Sequence, residues 1–355
     1  MAVPTTWTTS TQYDYPPVSP GRQLFASERH GCNPKIAHPR GPRPFKRTQT
    51  FNSRKGFGVR ARLTVTEAGP GRTSRVWSGI VADMTTSALL PTVLRTRLTA
   101  FISEHRRLAP GFLDRVVVTG SATAGDWWEG TSDIDLVLVI RRAPSQDELV
   151  ALGELHRSTI SEGPVDGVYL TEQQLAEGPD TVGAAPQVVE GALDTQARGT
   201  QLTWVTWREV ESGVEGVVDA VGAITWMPSA RRFPGAEEGA RAFSRHNLRD
   251  YWQPLGIRAR AQLFSRCDSD PVDPVTVRWI ALGPARLVAT IETGDVISKS
   301  ASGAFAAERW PAHAEFLLRA VASRTGEDIP FTVADARQAL DLLDQCVEIT
   351  GVDGR

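Results

Sequence analysis

The chain has very little cysteine. Cys32, Cys267 and Cys346 are the only three in 355 residues, they stand far apart, and no two form a C-x-x-C pair. That leaves no cysteine zinc site and no disulfide framework, so a reducing cytoplasm is the expected compartment. The six histidines are equally dispersed, and no H-E-x-x-H segment offers a metal-binding helix face. No apolar run approaches the roughly 20 residues of a membrane-spanning helix, so no membrane partner is expected. The net charge of −2 hides an asymmetry: residues 1–83 carry 13 Lys and Arg against 4 Asp and Glu, a surplus of +9, which leaves −11 for the rest. A folded body of that sign argues against nucleic acid as the main ligand.

What is present suits a soluble globular protein. Hydrophobic residues make up 41% and charged residues 23%, in a length that can hold two domains with real cores. Residues 1–84 stand apart. Segments such as "YPPVSPGRQ" and "HPRGPRPFKRTQ" are rich in Pro, Gly, Ser, Thr and Arg with little apolar periodicity, which is the composition of a disordered basic tail. The tail is acid-poor like a transit peptide but lacks an amphipathic helix, and it has no apolar stretch of the secretory kind. Met84 lies at the composition change, so the alternative is an extension ahead of a second start.

Residues 85–228 read as an α/β domain. "TTSALLPTVLRTRLTAFISEHRRL" places Leu90, Val93, Leu94, Leu98, Phe101 and Ile102 at helical spacings, with Pro91 tolerable in a first turn. "DRVVVTG" and "DIDLVLVIRR" read as buried strands, and "GPVDGVYLT" as a third. Between the last two, "SQDELVALGELHRSTISEG" reads as a helix with Leu149, Val150, Leu152 and Leu155 inward and Ser145 at its cap. "QLTWVTWREVESGVEGVVDAV" is compatible with a strand-helix-strand piece. Beyond the "PSARRFPGAEEG" boundary, residues 235–355 read as successive helices separated by Gly, Pro and Asp. In "HNLRDYW", a core helix with Leu248 and Trp252 inward is the better reading than an acceptor contact by His246, Asp250 and Tyr251. Trp127 and Trp128 could flank a base or an acceptor ring, but packing on their own domain is equally compatible.

The chemistry concentrates in "VVVTGSATAGDWWEGTSDIDLVLVI", residues 116–140. A strand ends at Thr119. Gly120 lets the backbone approach a ligand, and Ser121 offers a hydroxyl and an N–H. Eleven positions on, Ser132 precedes Asp133 and Asp135, which project together from the start of the next strand while Ile134 and Leu136 face the core. Two carboxylates so close repel unless a partner neutralises them. They are the oxygen ligands a hard dication prefers, and Mg²⁺ takes one or two carboxylates together with substrate phosphates. A nucleoside triphosphate is therefore expected beside them. A lone D-x-D pair is more often a solvated strand end; the composite of strand, Gly-Ser, interval and Ser-Asp-hydrophobic-Asp is what carries the reading.

That composite resembles the signature of the nucleotidyltransferase superfamily with a polymerase-β-like fold. The resemblance implies a mixed sheet and a third carboxylate on a later strand, for which Asp166 is the candidate; otherwise Asp166 is a turn residue beside Gly167. The segment "ALGPARLVATIETGDVISKSASGAFAAERWP", residues 281–311, is similar to the helical C-terminal domain of the aminoglycoside adenylyltransferases that modify streptomycin and spectinomycin. In that family an Arg and, 13 residues later, a Lys bind the ATP phosphates, and here Arg286 and Lys299 stand at that spacing. By the same resemblance Ser121 and Ser132 contact phosphate or metal-bound oxygens, Asp133 and Asp135 hold Mg²⁺, and Asp166 stands where the family has a basic Glu. One methylene shorter, Asp166 could instead complete the metal site. The likeness covers about residues 110–325 and is weak in the middle.

The departures fall on the acceptor side. Asp268, Asp270 and Asp273 stand in a different register from the family's acidic residues, Trp279 falls where a His is found, and Arg324 where a Tyr is found. The expectation is a monomer that moves AMP from ATP to a hydroxyl of a small, aminoglycoside-like molecule, with Mg²⁺ as cofactor. The alternative is a regulatory or antitoxin-type protein of the same fold that modifies or binds a protein partner, with "RAFSRH", from Arg241 to His246, as its weak R-x4-H signal. A tRNA-terminal transferase is disfavoured by the acidic body.

Overall fold

The computed structural model describes Leu24, Phe25, residues 89–219 and residues 222–354, the last three by backbone alone. The expected disordered tail lies outside the described residues except at Leu24 and Phe25. Phe25 is buried in the helical core, where its carbonyl accepts from Arg266 at 3.0 Å. Of the cysteines, Cys346 is buried and free, whereas Cys267 is disulfide-bonded, which the scattered positions did not suggest.

Helix α1 (Thr92–Leu108) starts directly after Pro91, and its helical spacing buries Leu94, Leu98, Phe101 and Ile102. Strands β1 (Leu113–Val118) and β2 (Ile134–Ile140) follow, then α2 (Gln146–Ser158) and β3 (Val165–Thr171). Ser145 caps α2 in a reciprocal box: its hydroxyl accepts from the Glu148 N–H, and the Glu148 carboxylate accepts from the Ser145 N–H. The inward face of α2 departs from the spacing-based expectation. Val150 is exposed, and His156 takes the buried position one turn beyond Leu152.

Next come α3 (Glu172–Glu177), β4 (Ala185–Val189), β5 (Ala192–Ala197), α4 (Trp204–Glu211), β6 (Val214–Val218) and β7 (Ile224–Pro228). Residues 201–203 form no strand ahead of α4, which begins at a Thr203 cap. The seven strands form one mixed sheet in the order β5-β4-β3-β2-β1-β6-β7, antiparallel everywhere except between β2 and β3.

Alternation along the central strands builds two cores. Val116, Val118, Ile134, Leu136, Leu138 and Tyr169 pack on the face that carries α1 and α2. Val117, Val137, Val139, Val168 and Leu170 pack on the opposite face against α3 and α4, through Leu175, Trp207 and Val210. By the same alternation Asp135 and Asp166 project to the α4 side.

Residues 236–348 are helical, as expected, apart from a short ribbon. Helices α5 (Ala236–Asn247) and α6 (Gln253–Leu263) are joined by a π-helical turn at Leu248–Trp252. Leu248 and Trp252 are buried and His246 and Asp250 exposed, so this segment is core helix. Strand β8 (Pro271–Val272) pairs with β9 (Phe331–Thr332). Between them lie α7 (Pro274–Thr293), α8 (Lys299–Arg309) and α9 (Ala314–Arg324), and α10 (Val333–Glu348) follows. The α8–α9 break falls at Trp310-Pro311, because a residue before proline is driven out of the helical region.

Candidate active site

Strand pairing brings the two ends of the 120–135 motif together. β1 runs antiparallel to β2 with Val118 opposite Leu136, so the residues leaving β1 lie beside those entering β2. The Thr119 N–H donates to the Asp135 carbonyl at 3.0 Å, which closes the ladder one residue past β1. The chain then turns at Gly120, whose φ is +64°. A Cβ there would stand 2.3 Å from Oδ2 of Asp135. Glycine is thus required twice: for a left-handed backbone and to leave room for the carboxylate.

A cleft of about 330 Å³ opens at this end of the sheet. Gly120, Ser121, Asp133 and Asp135 line it from the sheet side, and Arg286 and Lys299 from the helical side. Six of the eight residues singled out by sequence thus share one cavity. Ser132 and Asp166 do not line it. The Ser132 hydroxyl accepts from the Trp128 N–H at 3.1 Å, so it closes the loop that carries the motif. Asp166 stands beside Asp135 in the parallel register of β2 and β3. Its carboxylate accepts from the N–H groups of Glu190 at 2.7 Å and Gly191 at 3.0 Å, in the β4–β5 turn.

Two charged residues that sequence reading did not assign to this site also line the cleft: Glu209 on α4 and Arg324 at the end of α9. Glu209 is ion-paired with Nη2 of Arg286, whose Nε donates to the Ile297 carbonyl at 2.6 Å. Acidic and basic groups therefore face each other across the cavity. Burial, then Asp133 and Glu209, push the Asp135 carboxyl well above the ordinary carboxylate range, while Lys299 opposes them. Burial also raises Asp166, against the pull of its two N–H partners.

The donor set fits a hard dication in part. Among the described residues no group of three or more His, Cys, Asp or Glu forms a self-sufficient metal cage. Asp133 and Asp135 could supply two ligands and would leave the rest to phosphate and water, the pattern Mg²⁺ favours. The Ser121 hydroxyl is buried at the cavity wall with no partner among the described residues, as a group awaiting an anionic oxygen would be.

The acidic residues that stand out of the family's acceptor register are engaged elsewhere. Asp273 caps α7 through the Val275 and Thr276 N–H groups, Asp268 pairs with Arg337, and Asp270 accepts from the Cys267 N–H. Trp279 packs on Trp252 with ring centroids 4.7 Å apart.

No family model matches the chain, and no curated protein sequence matches it. Among solved structures the fold is similar to that of a spectinomycin adenyltransferase from Enterococcus faecialis determined with ATP and spectinomycin. Identity is 14% and the TM-score 0.48, over 72% of this chain and 99% of that one.

Proposed function

We propose that the chain is a nucleotidyltransferase that moves AMP from ATP to a hydroxyl of a small, aminoglycoside-like molecule. The observation that carries this reading is the charge arrangement of the cleft. Paired carboxylates Asp133 and Asp135, with the Gly120-Ser121 turn beside them, face Arg286 and Lys299 across one cavity.

In the proposed reaction the acceptor oxygen bonds to the α-phosphorus, the bond from that phosphorus to the bridging oxygen breaks, and pyrophosphate leaves with the electron pair. Mg²⁺ bound at Asp133 and Asp135 would supply Lewis-acid charge neutralisation. The protein's own part is positional. Ser121 offers its free hydroxyl to a phosphate oxygen, while Lys299 and Arg286 bind the β- and γ-phosphates and stabilise the leaving group. For Arg286 this means exchanging Glu209 for phosphate. Asp166, whose raised affinity for protons suits a base, takes the hydroxyl proton through a water and passes it to solvent. Holding both reactants in one cleft supplies the remainder of the acceleration.

The test is incubation of the purified chain with Mg²⁺, a panel of hydroxylated small molecules and ATP labelled at the α- or γ-phosphate. Label from the α position should appear in an adduct and label from the γ position only in pyrophosphate. No adduct and no pyrophosphate with any acceptor would overturn the reading. An adduct on protein instead would favour the protein-modifying alternative.

A further inference from the structure

Asp126 lies in the loop between the Gly120-Ser121 turn and β2, and it is only 4% exposed. A carboxylate this buried must be compensated. All of its partners but the Trp128 indole come from the helical half. Oδ2 accepts from the Ser300 N–H at 3.0 Å and from Nε of Arg324 at 3.2 Å. Oδ1 accepts from the Ser300 hydroxyl at 2.6 Å and from the Trp128 indole at 3.1 Å. The Asp126 carbonyl accepts a fifth bond, from Nη2 of Arg324 at 3.2 Å. Burial raises this carboxyl, but the Ser300 bonds, Arg324 and Trp128 outweigh it and leave the group below the ordinary range.

The importance of these bonds lies in what their donors are attached to. Ser300 follows Lys299, the first residue of α8, whose N-cap Ser298 also lines the cleft. Arg324 is itself a cleft residue and only 9% exposed. Its two bonds to Asp126 use Nε and one Nη, and the other Nη has no partner among the described residues. A nearly buried guanidinium with a free nitrogen at a cavity wall is an anion-binding group.

We propose that Asp126 is a latch between the two walls of the cleft: it fixes Arg324 as a third phosphate-binding cation and sets the start of α8, and with it Lys299, over the carboxylate pair. The phosphate part rests on the nucleotidyl-transfer reading; the latch itself does not. Asp126 is a positioning residue, since it does not line the cleft and acts through Arg324 and the start of α8.

The experiment uses the full chain with Asp126→Asn, Arg324→Gln, the double variant, and Ser300→Ala as a milder lesion. Hydrogen exchange without nucleotide should rise in peptides spanning 120–133 and 298–303 for Asp126→Asn, and less for Ser300→Ala. Steady-state kinetics should show KM for ATP raised about 10-fold or more by either single charge-removing variant, the scale of a charged hydrogen bond, with kcat changed far less. The double variant should be little worse than either single one. Unchanged exchange in both Asp126→Asn and Ser300→Ala would overturn the latch, whatever the activity. Raised exchange with unchanged KM, or with additive KM effects, would overturn the role of Arg324. A wild-type chain without turnover would leave the exchange result standing and refute only the transfer reading.

Discussion

Gly120, Ser121, Asp133 and Asp135 reach the cleft from 16 consecutive residues, whereas Glu209, Arg286, Lys299 and Arg324 reach it from four helices spread over 116 positions. The first wall is set by local rules: a strand end, a glycine with positive φ and alternation along β2 aim its groups at one spot. The second is set by packing, so its charges fall into place only when α4, α7, α8 and α9 dock. The negative wall is accordingly a motif and the positive wall an assembly. A lesion in the first should abolish chemistry. A lesion in the second should weaken nucleotide binding, each cation by the strength of its own bond to phosphate.

The largest effect should follow Asp135→Asn. Activity should fall about 10²–10³-fold or more, the scale of removing a group that stabilises developing charge. Stability should move the other way. The carboxylate is held above its ordinary range by burial and by Asp133 and Glu209, so removing its charge relieves repulsion. A thermal melt in EDTA should show an unchanged or higher Tm. A fully active variant, or one that loses activity only because it unfolds, would break the assignment.

The same contrast explains what could be read from the sequence. β1, β2, β3, α1 and the Ser145 cap were legible because each is a local pattern of spacing and capping. β5 and β7 were not, because short edge strands bury little: β5 alternates only between exposed and half-buried positions, while β4 is paired on both sides and mostly buried but spans only Ala185–Val189. The Glu209–Arg286 pair spans 77 positions and Asp126–Arg324 spans 198, with no local signal at either end. Asp268 and Asp273 show the converse. Their register already departed from that of the family's acidic residues, and in the fold they serve Arg337 and the α7 N-terminus.

On the assembled wall, Lys299→Ala should raise KM for ATP about 10-fold, with a smaller effect on kcat. Arg286→Ala should do the same and also lower Tm, because it strands Glu209 and removes the bond to the Ile297 carbonyl. Equal losses in kcat and kcat/KM would instead mean that these cations act only in the transition state.

A finer probe compares two glycines on the motif wall. Gly120 and Gly125 have φ of +64° and +67°, so alanine costs each about 1 kcal/mol of backbone strain. Only at Gly120 does the new Cβ meet the Asp135 carboxylate; at Gly125 nothing among the described residues lies within 4 Å. Gly120→Ala should therefore lose several-fold more activity than Gly125→Ala at similar Tm. Equal activities would mean that Asp135 has room to yield.

The smallest effect on activity should follow a change behind the cleft, and the pH dependence of stability separates the two faces of the sheet. Behind the cleft, His105 is buried against Phe112 and Tyr169 with neither ring nitrogen bonded among the described residues, and burial with the nearby His156 pushes it down to about 3. His156 bonds the Val165 carbonyl and the Tyr169 hydroxyl, and burial lowers it to about 4. Both titrate near 6.5 when unfolded, so below that pH the unfolded chain takes up protons the fold refuses. Stability then drops by about 1.4 kcal/mol per pH unit for each group, until the folded values are reached. On the cleft face the sign reverses. Asp135 and Asp166 are raised in the fold, so as pH falls the folded chain binds protons first and their penalty is relieved. His105→Phe should flatten the fall of Tm between pH 7 and 5, and Asp135→Asn should steepen it. Thermal melts in EDTA across that range check both slopes. If both variants shift the slope the same way, the acid sensitivity does not divide between the two faces of the sheet.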